Sequence, residues 1–114
     1  MLRAHPEINV LLAFNEPTSV GAAQAIEELQ LGETVCMVGF DSNLATIDAL
    51  QTGVVDALVI QNTYEMGYFG VQSAYKLLAG QRNSVEKHVD TESRLIDRSN
   101  MFTMDGQKVL FPIS

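Results

Sequence analysis

Tryptophan is absent from this 114-residue chain, and cysteine occurs once, proline three times. A lone cysteine, Cys36, cannot close an internal disulfide; within Val35-Cys36-Met37-Val38 it reads as a small buried hydrophobe. Basic residues are scarce, seven Lys and Arg against fourteen Asp and Glu, for a net charge of -7. That balance repels a phosphate backbone and excludes nucleic acid as a partner. No Lys/Arg cluster suits an anionic membrane surface. No apolar run approaches the roughly 20 residues that span a bilayer. The start, Met1-Leu2-Arg3-Ala4-His5-Pro6, has no apolar h-region, so no signal peptide is expected within the chain.

The motifs of common enzymes are missing too. There is no G-x-S-x-G elbow, P-loop or G-x-G-x-x-G. Cys36, His5 and His88 show no zinc spacing, and both histidines are expected at the surface. Asp41-Ser42-Asn43 begins like a calcium loop, but Ala45, Thr46 and Thr52 stand where a ligand, a glycine and a glutamate are needed. Catalysis and metal binding are therefore set aside, and no cofactor is expected.

What is present fits a globular domain, with 46% hydrophobic and 18% charged residues. Three units of one kind follow one another. Asn9 to Phe14 is a strand-length apolar run, followed by a helical stretch from about Pro17 to Leu31, with Gly32 as its left-handed cap. Thr34 to Phe40 is the second run; its helix spans about Asn43 to Gln51, with a stripe of Leu44, Ile47 and Leu50 and a stop at Gly53. Asp56 to Ile60 is the third. Its helix covers about Tyr64 to Ala79, with Thr63 as N-cap, Met66, Gly70, Ala74, Leu77 and Leu78 as the buried face, and Gly80 at its end. Unbroken apolar strands suit a sheet covered on both faces, and strand-helix repetition implies right-handed crossovers. The fold class is α/β, an open parallel sheet sandwiched by helices. Residues 1–80 form the βα-repeat lobe, with Met1 to His5 as the last turn of a truncated helix. Residues 81–114 form a tail, with short strands at Ser93 to Asp97 and Lys108 to Phe111 joined by a turn at Asp105-Gly106.

Each apolar run stops on a polar residue: Phe14-Asn15, Phe40-Asp41 and Ile60-Gln61. Ligands of open parallel sheets bind outside the carboxyl ends of the strands. A carboxylate, two amides and two aromatic rings there suit a neutral polyol, because the polar groups meet hydroxyls and the rings meet the apolar face of a sugar. The same residues also serve as helix caps and turn formers, and position alone leaves both readings open.

The stretch Ala13-Phe14-Asn15-Glu16-Pro17-Thr18-Ser19-Val20-Gly21-Ala22 resembles the N-[DE]-x-x-x-x-G-A element of periplasmic sugar-binding proteins of the ribose-binding type, which feed ABC transporters. Val38-Gly39-Phe40-Asp41 is similar to their V-G-F-D element, and Ile60-Gln61-Asn62-Thr63-Tyr64-Glu65-Met66-Gly67-Tyr68 to their Q-N-P-Y-x-M-G-Y element. The match is collinear from about His5 to Gly80. Glu16 stands where Asp is commoner and Thr63 replaces the usual Pro. The resemblance implies one lobe, the carboxy-terminal one, of a type I periplasmic binding protein fold. It implies a monosaccharide or related polyol as ligand, held by Asn15, Asp41 and Gln61, a membrane permease as the parent protein's partner, and a periplasmic or extracytoplasmic location. It also implies that a second lobe supplies the rest of the site. The alternative is the effector-binding lobe of a lactose-repressor-type regulator, which shares the fold. Such lobes usually carry a Pro-Leu-Thr-Thr-like strand where this chain has Asp56-Ala57-Leu58-Val59-Ile60-Gln61. In the resembled family the final strands run along the hinge against the other lobe. Arg94 to Asp97 and Val109 to Pro112 are accordingly expected to expose apolar side chains and strand edges, and the fragment to form a homodimer through them.

Overall fold

A computed structural model describes residues 1–112. The chain runs β1 (Val10–Leu12), α1 (Glu16–Glu28), β2 (Cys36–Phe40), α2 (Leu44–Thr52), β3 (Ala57–Gln61), α3 (Thr63–Leu78), a 3₁₀ turn at Arg82–Ser84, β4 (Ser93–Asp97) and α4 (Met104–Leu110). The strands form one open sheet in the order β1-β2-β3-β4. β1 pairs in parallel with β2 (Val10 opposite Cys36) and β2 in parallel with β3 (Val38 opposite Ala57). The three expected strand-helix repeats are therefore present. The chain divides into two compact units, residues 1–60 with 94–114, and residues 61–93.

In the first unit one face of the sheet meets α1 and α2. Ser19, Ala23 and Ile26 recur at helical spacing and form the buried side of α1. They join Met37, Leu50, Val55 and Leu58 in the core. Each such large side chain contributes ~1.5–3 kcal/mol on burial. The other face differs from the expectation of a sheet covered on both sides. Side chains alternate along a strand, so the register aligns Val10, Leu12 and Cys36 on that face. Val10 is 54% and Leu12 53% exposed, and Cys36 is exposed rather than buried.

Helix ends follow local chemistry. Asn43 caps α2 with a reciprocal capping box, its Oδ1 accepting from Thr46 N while Thr46 Oγ1 accepts from Asn43 N. Gly53, at φ +90°, closes that helix as expected. Leu44, read as part of the buried stripe, is exposed. α1 ends earlier than expected. Its left-handed residue is Gln30 (φ +54°), not Gly32, because Gln30 N donates to Glu27 O and Leu31 N to Ile26 O, the Schellman pattern. That closure turns Leu31 back beside Ile26.

The carboxy-terminal segment also departs from expectation. β4 lies where a strand was predicted, but Lys108 to Leu110 belongs to α4, and Asp105-Gly106 lies within that helix rather than in a turn. Thr103 is its N-cap, accepting from Gly106 N at 3.0 Å. Gly106 is needed there, since a Cβ at that position would collide with the backbone carbonyl of Asn100. Ile96, Met101 and Leu110 are all buried in the core, so within the two predicted tail segments the exposed large apolar residues are Leu95 and Phe111; Phe102 and Met104, between those segments, are exposed as well. Burial of alternate side chains explains the difference: segments 94–97 and 104–110 are amphipathic, and their apolar sides find the core of the first unit. The Arg98 guanidinium fastens this segment by donating to Leu50 O (3.2 Å) and Val55 O (2.9 Å). Residues 113 and 114, the end of the predicted tail, lie outside the described residues.

In the second unit Asn62, not Thr63, caps α3, its Oδ1 accepting from Glu65 N at 3.1 Å. The face read as buried, Met66, Gly70, Ala74, Leu77 and Leu78, is not buried. Beside it runs an exposed stripe on which the Tyr64 and Tyr68 rings stack with centroids 6.4 Å apart. Residues 61–93 contain no second apolar element long enough to cover a sixteen-residue helix.

The left-handed Gln30 generates a prediction. Gln30→Gly removes a Cβ clash that costs roughly 1–2 kcal/mol, against an entropy loss of about 0.5–1 kcal/mol. Net stabilisation of about 0.5 kcal/mol is expected from urea denaturation, with an unchanged slope.

Candidate functional site

Because β1, β2 and β3 are parallel, their carboxyl ends share an edge of the sheet, and the residues that leave those ends are the candidates. In the first unit, Phe14 and Asn15 leave β1, and Asp41 follows β2 directly. The Phe14 and Phe40 rings face each other with centroids 6.0 Å apart at 50°. This tilted aromatic pair is flanked by an amide and a carboxylate.

Asn15 begins α1 in an extended conformation. Its Oδ1 accepts from Thr18 N (3.0 Å) and from Thr18 Oγ1 (2.7 Å). The capping reading of Asn15 is therefore correct for its oxygen. Its Nδ2 group, at an exposed position, is the donor end of the side chain. Asp41 adopts φ +62°, a left-handed conformation that Asp tolerates better than most side chains. Its N–H still extends the sheet, donating to Val59 O at 2.8 Å. The chain thus turns sharply at the last laddered residue, and a half-buried carboxylate sits at the bend. Backbone strain retained at a polar edge residue is a common feature of binding sites.

Gln61 is the last residue of β3 and is half-buried. It belongs to the second unit. All three predicted site residues thus occupy strand ends or the turns that follow them. Asn15 and Asp41 are united in one compact unit.

Two ties in the first unit went unseen in the sequence. Glu16 Oε1 accepts from Asn43 Nδ2 at 2.8 Å, which links the start of α1 to the cap of α2. Ser19, fully buried, accepts from Phe40 N at 2.9 Å and donates to Asn15 O at 2.8 Å. A serine four residues into a helix carries no pattern that announces such a role. Only the Glu16 substitution was visible, as a departure beside the site.

Other polar groups lie elsewhere. Cys36 opens β2 at its amino end, where partial desolvation and then the neighbouring Asp56 carboxylate push its thiol up. His5 and His88 are exposed as expected, His5 within 3.1 Å of Glu7 Oε1.

A parallel sheet whose strands end on polar residues at one edge, beside an aromatic pair, defines a lobe of the open α/β class. The chain belongs to the periplasmic binding protein domain family, whose sequence pattern matches residues 1–82. It is 37% identical over 98 residues to the D-ribose/D-allose-binding protein of Pseudomonas aeruginosa, covering 84% of this chain and 31% of that protein. The ribose import binding protein of Escherichia coli is 30% identical over 90 residues, 79% of this chain and 30% of the relative. Among solved structures, a carbohydrate transporter solute-binding protein from Agrobacterium radiobacter in complex with D-arabinose superimposes with a TM-score of 0.83 at 34% identity. The superposition covers 96% of this chain and 36% of the other. An ABC transporter solute-binding protein from Agrobacterium vitis with bound D-fucose gives 0.81 at 30% identity, over 96% and 37% of the two chains. The chain spans about a third of the length of the relatives it matches. The expected type I periplasmic binding protein architecture is thereby established.

Proposed function

We propose that this chain carries one half of the sugar site of a solute-binding protein serving an ABC transporter, in a parent protein that acts outside the cytoplasmic membrane. The observation that carries the reading is the placement of Asn15 and Asp41 beside the Phe14–Phe40 pair at the carboxyl edge of parallel strands. Asp41 accepts from adjacent hydroxyls of a monosaccharide, and Asn15 donates through Nδ2. Monosaccharides of five or six carbons are the favoured ligands, since one relative is named for D-ribose and D-allose and two similar structures hold D-arabinose and D-fucose. The transporter's permease is the partner of the parent protein. The named relatives are transport proteins, which favours this reading over the regulator and over an enzyme.

Two measurements test it. In a full-length protein that contains this segment, Asp41→Asn keeps the left-handed conformation accessible but removes the charge. It should weaken sugar binding by about 1.5–3 kcal/mol, the range for hydrogen bonds to charged groups; unchanged affinity in calorimetry would exclude Asp41 from the site. The 114-residue chain alone should bind D-ribose at millimolar strength or weaker, and micromolar binding would refute the half-site.

We also propose that the isolated chain self-associates, now through β1 rather than through its tail. β1 is an edge strand with no charged residue between Ile8 and Asn15, and Val10 and Leu12 are exposed on it. Edge strands lacking charge recruit other strands. Sedimentation velocity should show dimer at high micromolar concentration, abolished by Leu12→Lys; a monomer throughout would overturn the proposal.

A further inference from the structure

The β1–β2 ladder stops one hydrogen bond early, and the group that stops it is a side chain. In a parallel ladder a residue's N–H and C=O bond to residues two apart on the neighbouring strand. Cys36 N donates to Asn9 O at 2.8 Å and Ala13 N donates to Val38 O at 3.0 Å. The next donor in that rhythm is Phe40 N, and its ladder acceptor would be Ala13 O. Phe40 N instead donates to Ser19 Oγ at 2.9 Å. The Ser19 hydroxyl directs its own proton to Asn15 O at 2.8 Å, with Phe40 O more distant at 3.4 Å. Ser19 is fully buried.

The neighbouring residue is shaped to admit this hydroxyl. A Cβ on Gly39 would lie 3.0 Å from Ser19 Oγ and 3.1 Å from Leu58 Cδ2. β2 therefore has no side chain at the place where Ser19 enters. The two residues that Ser19 joins sit at the proposed site: Asn15 itself, and Phe40, which precedes Asp41.

We infer that Ser19 is a positioning residue, whose hydroxyl holds β1 and β2 apart at their carboxyl ends and thereby sets the separation of Asn15 and Asp41. A buried N–H must find an acceptor. While Ser19 supplies one, the strands stay splayed and the crevice between their ends stays open. Without it, Phe40 N–H recovers Ala13 O, the ladder closes by one bond, and the two polar residues shift relative to each other. The consequence for sugar rests on the proposed function; the spacing role does not.

The experiment is heteronuclear NMR on the 114-residue chain, with D-ribose titrated into a full-length protein that contains this segment. In Ser19→Ala a scalar coupling across a new Phe40 N–Ala13 C′ hydrogen bond should appear, with displaced Asn15 and Asp41 resonances. D-ribose affinity should fall about fivefold, as for one lost neutral hydrogen bond. Ser19→Thr, which keeps the hydroxyl, should resemble the parent chain in both respects. If Ser19→Ala is too unstable, Ser19→Cys, a weaker acceptor of similar size, should accelerate exchange of the Phe40 amide and lower affinity in the same direction. Neither a new coupling nor any displacement of Asn15 and Asp41 in a folded Ser19→Ala chain overturns the positioning role, whatever the sugar does. An appearing coupling with unaltered D-ribose affinity overturns the link from spacing to binding. If the coupling appears while the full-length protein shows no saturable D-ribose response, the sugar reading fails and the spacing role stands.

Discussion

Parallel strands must all begin at one edge of a sheet and end at the other, and the first unit is organised by that constraint. Each return path from β1 to β2 and from β2 to β3 crosses a face, so each is a helix whose apolar side closes the core. The same geometry sends every strand's last residue to a common edge. There the chain leaves the hydrogen-bonding ladder and has polar groups to spare. The core and the candidate site are thus two outcomes of one topology.

The site side of that edge is built by short-range chemistry. Asn15 and Asn43 cap the helices after them, and each also makes a second bond. Asn15 O receives the Ser19 hydroxyl, while Asn43 Nδ2 reaches Glu16. Caps that also link neighbouring loops leave little freedom in the turns. Asp41, held left-handed at the end of β2, is the strained member of this set. Its bend is sustained because the strand before it is laddered to β3 and the Asn43 cap comes two residues later.

The carboxy-terminal segment shows how a core recruits later parts of its own chain. Ile96, Met101 and Leu110 are spread over fifteen residues, yet all three are buried with the helices of the amino-terminal segment. Arg98 adds a polar fastening by satisfying carbonyls at and just beyond the end of α2, where a helix leaves acceptors unpaired. The open sheet face around Val10 and Leu12 and the uncovered stripe of α3 are the complementary case, apolar surfaces without cover among the described residues.

Periodicity and punctuation alone determined the order of strands and helices through residue 80, because apolar runs, helical spacing and the stops at Gly53 and Gly80 are local properties. They also marked Asn15, Asp41 and Gln61 as strand-end residues, since a parallel sheet makes that position meaningful. Three matters were decided only by tertiary structure. Whether a face of α3 is covered depends on a neighbour, and the apolar stripe of a helix cannot name one. Whether Lys108 to Leu110 is strand or helix depended on Thr103 finding Gly106 N and on Met101 and Leu110 reaching the core, since a short apolar run has no period of its own. The Ser19 hydroxyl joins Asn15 to Phe40, 25 residues further along the chain, and such a bond leaves no trace in spacing because it exists only where two strands have first been brought together and then parted.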